Sequence, residues 1–143
     1  MNTTFELIAT LSASLFTGAS VYINLVEHPA RMSCGTRLAI TEFAPSYKRA
    51  TIMQVLLAII AFMSSMIAWL LNSGFYWLIG GCLIVLVIPF TLIAILPVNK
   101  KLLDPSLDKD SLYARQLLNR WGKLHGVRSL LSLSSLVVFL GAR

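Results

Sequence analysis

The amino-acid sequence predicts an all-α integral membrane protein, a single bundle of four transmembrane helices over residues 1–143. The first observation is composition, because 57% of the residues are hydrophobic and 13% are charged, whereas a soluble domain carries roughly 25% charged residues. The second is four apolar segments, each close to the ~20 residues that cross a bilayer. The third is that the net charge of +6 lies in connections of the chain and not on a nucleic-acid-binding module. A nucleic-acid partner is therefore not expected.

The four predicted spans cover about residues 5–26, 50–71, 75–96 and 124–142. Each must be helical, because lipid offers the backbone no hydrogen-bond partners. The first span lacks the basic segment that precedes the apolar core of a signal peptide, and its apolar run is too long for one. We therefore interpret it as a membrane helix, and membrane lipid is the first predicted partner of the chain.

The connections between the spans are of two kinds. Residues 72–74 form a short uncharged turn between the second and third spans, whereas residues 27–49 and 97–123 form two long connections. An even number of spans puts both termini on one side and both long connections on the other. The long connections and their flanks hold 11 of the 12 basic residues, and only Arg143 lies elsewhere: Arg31, Arg37, Lys48, Arg49, Lys100, Lys101, Lys109, Arg115, Arg120, Lys123 and Arg128. The positive-inside bias predicts cytoplasmic long connections and both termini outside. The expected location is a bacterial inner membrane.

The second long connection is predicted to contain further helix. Residues 111–123 present an apolar side that includes Leu118 and Trp121, and Asp110 or Ser111 is a suitable N-cap. Such an amphipathic segment either lies on the membrane surface or extends the fourth helix into the cytoplasm.

Polar side chains within membrane spans are costly, and the predicted topology gathers several of them at one level. Helices 1 and 3 end, and helices 2 and 4 begin, on the side of the long connections. One polar layer is therefore predicted to contain Glu27, His28, Arg49, Asn99, His125 and Arg128. Arg128 is expected either to reach the membrane surface or to pair with Glu27 inside the bundle.

Two prolines are predicted to shape the helices around this layer. Pro29 lacks an amide donor and disfavours helical geometry at His28, so we expect the chain to turn out of helix 1 there. Pro89 lies in the middle of the third span and is expected to kink that helix, freeing a carbonyl near Val85.

The same segments resemble a known family. The stretches "GASVYINLVEHPARM", "PSYKRATIMQ", "LPVNKKL" and "LLNRWGKLHGVRSLLS" resemble the small four-helix membrane proteins grouped as anthrone-oxygenase-like, many of which otherwise form a domain family of unknown function. The best matches are Pro29, Tyr47 with Arg49, Asn99, and Trp121 with His125 and Arg128. The resemblance spans nearly the whole chain and implies a four-helix membrane fold. It also implies a reaction in which oxygen is added to the activated carbon of an anthrone.

As an enzyme, the protein would be an oxygenase-like oxidoreductase acting on a flat, apolar phenol or quinone-like molecule that enters from the membrane. The predicted catalytic residues are His125, His28 and Glu27, with either imidazole as the base. The predicted substrate-binding residues, which would hold an oxyanion or stack on the ring, are Tyr22, Asn24, Arg49, Asn99, Trp121 and Arg128. One version of the hypothesis needs no cofactor. The other binds a single transition metal through His28, His125 and Glu27.

Two other functions stay open from the sequence. A non-catalytic membrane protein that binds a small molecule, or serves as an accessory subunit, needs only the four spans and the polar layer. Two histidines on different helices can also ligate one haem for electron transfer. Small residues such as Ala9, Ala13, Gly80 and Gly81 suit packing within one chain or between copies, so a homo-oligomer is open as well.

Overall fold

In the computed structural model, which describes residues 2–142, the chain folds into four long helices joined by short connections. No strand occurs among these residues. All four helices, α1 to α4 in chain order, are long and apolar enough to cross a membrane, and their spans are Thr3–Ser33, Thr36–Leu70, Phe75–Leu102 and Leu112–Gly141. The predicted fold class, an integral membrane four-helix protein, is confirmed. Arg143, the basic residue that the topology prediction set apart, lies outside the described residues.

Helix α1 changes its winding next to the predicted polar layer. It consists of an α-helix, a π-helical turn and a second α-helix, with the bounds Asn2–Tyr22, Ile23–Glu27 and His28–Ser33. The amide of His28 closes the π turn on the carbonyl of Ile23, and Pro29 lies in the first turn of the second α-helix. The expectation that the chain turns out of the helix at His28 was wrong, because the wider turn accommodates the missing proline donor and the helix continues.

The first predicted long connection is almost entirely helical. Helix α1 ends at Ser33, Cys34 and Gly35 make a tight bend with Gly35 at φ 94°, and α2 runs from Thr36 to Leu70. The predicted second span began at residue 50, because charged residues lower the hydropathy before that point. Helix α2 nevertheless begins earlier, because several apolar residues in this part of the chain are buried. Those residues, Ala39, Ile40 and Phe43, pack in one cluster with Leu117, Leu118 and Trp121 of α4.

The turn between α2 and α3 agrees with the prediction from its sequence. Asn72 adopts φ 65° and Gly74 adopts φ 108°, values that asparagine and glycine tolerate better than other residues do. The amide of Asn72 donates to the carbonyl of Trp69 at 3.0 Å. A short polar turn therefore reverses the chain, as expected.

Helix α3 is interrupted where the sequence predicted a kink. Its segments are the α-helix Phe75–Val85, the short α-helix Val87–Phe90, the π-helical turn Thr91–Ile95 and the α-helix Leu96–Leu102. The interruption at Leu86 comes one turn before Pro89, which has no amide to donate to the carbonyl of Val85. The π turn precedes Pro97 in the same way that the π turn of α1 precedes Pro29.

Helix α4 begins well before the predicted fourth span and runs without interruption over Leu112–Gly141. Ser111 is its N-cap, since the Ser111 hydroxyl accepts a hydrogen bond from the amide of Ala114 at 3.0 Å. The amphipathic segment therefore extends the fourth helix, which decides between the two arrangements left open by the sequence.

The bundle has two apolar clusters with polar residues between them. We call the end that contains Cys34, Gly35 and residues 103–111 the basic end, and the end that contains residues 72–74 the turn end. Helix α1 packs against α2 and α4, and α3 packs against α4 and, at the turn end, against α2. Small and aromatic residues fill the turn end: Ala9, Ala13, Phe16, Ala58, Ala61, Ala68, Trp77, Ile84, Val87 and Phe139. The predicted functional residues lie towards the basic end.

Candidate functional site

Asn24 joins the π turn of α1 to α4 and orients His125. The Asn24 Nδ2 amide donates to the carbonyl of Gly122 at 3.1 Å, so the Oδ1 atom is directed at hydrogen-bond donors. Asn24 Oδ1 accepts from the Ser129 hydroxyl at 2.6 Å and lies 2.8 Å from His125 Nδ1. Because a carbonyl oxygen can only accept, His125 carries its proton on Nδ1. The Nε2 atom of this buried imidazole therefore keeps its lone pair.

Trp121 links the two histidines of the protein. Its ring stacks on the His125 imidazole with centroids 4.8 Å apart and lies 5.2 Å from the His28 imidazole at an angle of 50°. Phe43 of α2 packs edge-on against the same ring at 5.2 Å. The neighbour that both imidazoles share is therefore the indole of Trp121.

His28 serves to pack α1 against α4. A Cβ atom on Gly122 would lie 2.7 Å from His28 Nε2, so the imidazole fills the space that the absent side chain of Gly122 leaves. Close approach of this kind explains why glycine occupies the position. His28 and His125 thus differ, since His28 packs over the Gly122 backbone and His125 lines a cavity between the helices.

Arg31 is buried within a network of carboxylates at the basic end. It forms ion pairs with Glu27, one turn earlier in α1, and with Glu42 of α2, whose Oε2 lies 2.7 Å from Arg31 Nε. The Ser46 hydroxyl donates to Glu27 at 2.6 Å. The guanidinium also lies 5.8 Å from the Phe43 ring and 5.7 Å from the Trp121 ring. The carboxylate of Glu27 is therefore occupied by its ion pair with Arg31.

Arg128 is buried without a carboxylate partner among residues 2–142. It donates to the Gln54 side-chain carbonyl at 2.6 Å and lies 5.2 Å from the ring of Phe16. Arg128 Nε and Gln54 Nε2 are buried and have no hydrogen-bond partner in the described part of the chain. Of the two arrangements expected from the sequence, neither occurs, because Arg128 stays in the interior and pairs with a neutral amide instead of Glu27.

A small cavity of about 20 Å³ lies between the four helices and brings these groups together. His125, Arg128 and Asn99 line it. Both polar atoms of the fully buried Asn99 side chain lack a hydrogen-bond partner among the residues that the structure describes. The remaining lining residues come from every helix: Ile23, Arg31, Phe43, Ser46, Tyr47, Ala50, Thr51, Gln54, Ile95 and Trp121. Buried polar groups are normally hydrogen-bonded. Unsatisfied donors around an imidazole lone pair therefore indicate a place for a polar ligand.

Comparison with known proteins decides the family. The family model described as anthrone oxygenase matches residues 43–138. The chain belongs to the anthrone oxygenase family. The match includes the cavity residues of α2, α3 and α4, among them Gln54, Asn99, His125 and Arg128, whereas Asn24 and His28 precede it. Neither the search of curated proteins nor the search of solved structures found a match.

This anthrone oxygenase family member assembles part of the predicted site. His125, Asn99, Trp121 and Arg128 line the cavity, and Asn24 holds His125 from outside it. Tyr22 and Arg49 do not reach the cavity, and both are exposed. Their positions result from helix rotation, since each side chain points away from the bundle axis.

Sequence reasoning did not place Gln54 or Ser129 in the site. A lone amide within the apolar second span was the signal for Gln54, because such a residue needs a partner in the bundle. Ser129 lies one turn after His125 in α4, and serine is so common in membrane-helix contacts that its role could not be distinguished from packing.

The predicted shared metal site is not assembled in this geometry. Among residues 2–142, no three histidine, cysteine, aspartate or glutamate side chains come close enough together to hold one metal ion. Glu27 pairs with Arg31, His28 packs over Gly122, and His125 is oriented by Asn24. The proposed ligands His28, His125 and Glu27 therefore do not fit one metal ion. Both imidazoles pack against the indole of Trp121.

Proposed function

We propose that this protein oxidises an anthrone-type phenolic molecule to the corresponding anthraquinone with dioxygen, inside the membrane. The observation that carries the proposal is the orientation of His125, whose Nε2 lone pair is left free because Asn24 binds Nδ1. The same cavity is lined by Arg128, which has no carboxylate partner among residues 2–142. Membership of the anthrone oxygenase family supports the reaction type. A base and a cation in one water-poor cavity suit the formation of a stabilised carbanion.

His125 is the proposed general base. An anthrone has a methylene group opposite its ketone, and loss of one methylene proton gives an electron-rich enolate. The Asn24 hydrogen bond keeps the proton on Nδ1, so Nε2 can accept the substrate proton. The imidazolium that forms is stabilised by the Asn24 carbonyl oxygen, and stacking on Trp121 fixes the ring plane.

Arg128 and Asn99 are the proposed partners of the enolate oxygen. Arg128 brings a positive charge without an anion beside it, and the Asn99 amide is buried with no partner. Preorganised donors of this kind stabilise negative charge that develops in the transition state. The side-chain carbonyl of Gln54 accepts a hydrogen bond from Arg128 and holds it in place. The Gln54 amide nitrogen has no acceptor within residues 2–142.

The proposed reaction balances without a further reactant. The enolate passes one electron to dioxygen, and the resulting radical pair joins through a new carbon–oxygen bond. The imidazolium returns its proton to give a hydroperoxide. Loss of the second methylene proton breaks the oxygen–oxygen bond, which leaves a carbonyl and releases water. Anthrone and dioxygen thus give anthraquinone and water, with the carbon oxidised by the four electrons that dioxygen accepts.

The proposed orientation places the basic end of the bundle in the cytoplasm. Lysine and arginine are enriched in cytoplasmic connections of membrane proteins, and the basic end carries Lys100, Lys101 and Arg37 at or near the surface. The cavity then lies in the cytoplasmic half of the bilayer, where an apolar phenolic substrate would partition.

The test compares the two histidines as a matched pair. Purified protein in lipid nanodiscs is supplied with a dihydroxyanthrone, and formation of the anthraquinone is measured by absorbance against the spontaneous rate. His125→Asn is expected to lower kcat by about 10²–10⁴, the usual contribution of a general base. His28→Asn is expected to lower thermal stability and to leave most of kcat, because His28 packs and does not line the cavity.

Isotope labelling gives a second readout. With ¹⁸O-labelled dioxygen, one labelled atom is expected in the new carbonyl and the other in water. A new carbonyl oxygen that comes from unlabelled water, or equal turnover by wild type and His125→Asn, would contradict the proposed reaction. Unchanged binding of a dihydroxyanthraquinone combined with no turnover would favour the non-catalytic binding protein.

A further inference from the structure

A second cavity, of about 100 Å³, lies between α2 and α3 and adjoins the first. The two cavities share Tyr47, Thr51, Gln54 and Arg128 in their walls. The other lining residues of the second cavity are almost all apolar: Phe16, Val55, Ala58, Val87, Ile88, Thr91, Leu92 and Leu96. One end of this second cavity is therefore polar, and the rest is hydrocarbon.

The interruption of α3 explains why this space exists. Along Phe75–Val85, α3 packs closely against α2, but past Leu86 it hardly approaches α2 and stays against α4. The change of direction occurs where Pro89 removes a backbone hydrogen bond. A straight α3 would continue along α2 and close the space.

The second cavity faces lipid at one side. Val55 of α2 and Leu92 of α3 line it and have exposed fractions of 36% and 58%. Both residues lie within helices long enough to cross a membrane, so the exposed surface there meets acyl chains. Gln54 and Arg128 also line this cavity, and their Nε2 and Nε atoms are buried with no hydrogen-bond partner within residues 2–142.

We propose that the second cavity is a lateral entrance and an apolar binding site, through which an amphipathic aromatic ligand passes from the bilayer to Arg128. The ligand class is a flat ring system with hydrocarbon on one side and a ketone, phenol or phenolate oxygen on the other. The apolar walls contact the hydrocarbon, and the oxygen accepts a hydrogen bond from the Arg128 guanidinium, which has no carboxylate partner among residues 2–142. That the ligand is the oxidised substrate rests on the proposed function, whereas the lateral route does not.

Bulky substitutions on the two walls test the entrance. Thr91→Trp on α3 and Val55→Trp on α2 place an indole in the opening, and Ile93→Trp and Leu56→Trp are matched controls on the same helices. Ile93 and Leu56 are exposed and line neither cavity. In proteoliposomes preloaded with a dihydroxyanthrone, each entrance variant is expected to raise KM by at least about tenfold with little change in kcat. The controls are expected to match wild type.

A binding measurement keeps the two proposals separable. A dihydroxyanthraquinone added to the lipid is expected to quench the indole introduced by Thr91→Trp at concentrations that leave the Ile93→Trp indole unquenched. This readout needs no turnover, so it remains decisive if the oxidation is not observed. Equal quenching of both indoles, or equal KM for the entrance and control variants, overturns the lateral entrance. If one entrance variant has a lowered thermal transition temperature, the other entrance variant, on the opposite helix, is used for the comparison.

Discussion

The turn end and the region around Arg128 use the same four helices in opposite ways. At the turn end, backbone and side chain meet without space: the Phe139 ring lies against Gly80 and stacks on Trp77 at 5.2 Å, and the Ser135 hydroxyl donates to the Gly80 carbonyl at 2.7 Å. Around Arg128, two cavities separate the helices, and several buried polar atoms have no partner. Close packing at the turn end holds the helices together, while the region around Arg128, between the two apolar clusters, contains the cavities.

The two buried arginines show what this difference means. Arg31 has two carboxylates and a hydroxyl nearby, so its charge is compensated within the protein. Within residues 2–142, the partners of Arg128 are a neutral amide oxygen and an aromatic ring. Burying a charge without a counter-ion is expensive. Arg128 in this state is therefore not expected to stabilise the fold, and this supports the proposal that it binds a ligand.

Exchanging each arginine for methionine should produce the largest effects and separate their roles. Arg128→Met is expected to lower kcat/KM by about 10²–10³, as for loss of one oxyanion donor, while the free energy of unfolding stays equal or rises. Arg31→Met leaves Glu27 and Glu42 without their cation. Because these carboxylates are partly exposed, the expected loss of unfolding free energy is about 1–3 kcal/mol.

Both quantities can be measured on the same preparations, by turnover of a dihydroxyanthrone and by unfolding in a denaturing detergent. A drop in stability for Arg128→Met as large as that for Arg31→Met would remove the distinction between the two arginines.

Adding one methyl group at each end should give a smaller effect and tests the difference in packing directly. Gly80→Ala places a Cβ against the Phe139 ring, which cannot move because it is buried and stacked on Trp77. Overpacking of this kind costs about 1–3 kcal/mol. Gly126→Ala is the control, since the nearest atom to its Cβ is Asn24 Nδ2 at 3.9 Å. Equal thermal transitions for the two variants would contradict tight packing at the turn end.

The smallest effect is expected at the surface of the basic end. Arg37 and Asp110 form an exposed ion pair, and the Arg37 guanidinium lowers the pKa of Asp110 below its ordinary value. A carboxylate with a lowered pKa contributes stability above its unfolded pKa and loses it as the pH falls through the folded value. Arg37→Gln should therefore differ slightly from wild type at neutral pH, and the difference should vanish in acid. Thermal transitions at low salt across this range check the sign.

Local features of the chain predicted a large part of the fold. Apolar segments identified all four spans, residues 72–74 identified the turn, and Ser111 was among the two N-caps named. Each of these features is set by a local free-energy term, such as the transfer of one helix into lipid or the cost of a positive φ at one residue. The interruption of α3 near Pro89 could also be predicted from the local sequence, because proline lacks the backbone amide that a helix needs.

The pairing of side chains could not be predicted, because it depends on rotation about the helix axes. Asn24 and Arg31 are seven residues apart and would share a face of a regular α-helix. The π turn places an additional residue in the winding, which rotates the rest of α1 by about 100°. Asn24 therefore meets His125 of α4, while Arg31 turns towards Glu42 of α2. Glu27 pairs with Arg31 and therefore does not reach Arg128 as a counter-ion.

The sequence by itself determined that the chain is a four-helix membrane protein with histidine, asparagine and arginine near one end, since hydropathy and proline chemistry act locally. Only the tertiary structure decided which of these groups share a cavity. The cavity depends on the separation of α3 from α2 past Leu86 and on the change of winding at the two π turns. His125, Asn99 and Arg128 come to line one space while His28 is used for packing, because each position depends on every helix that surrounds it.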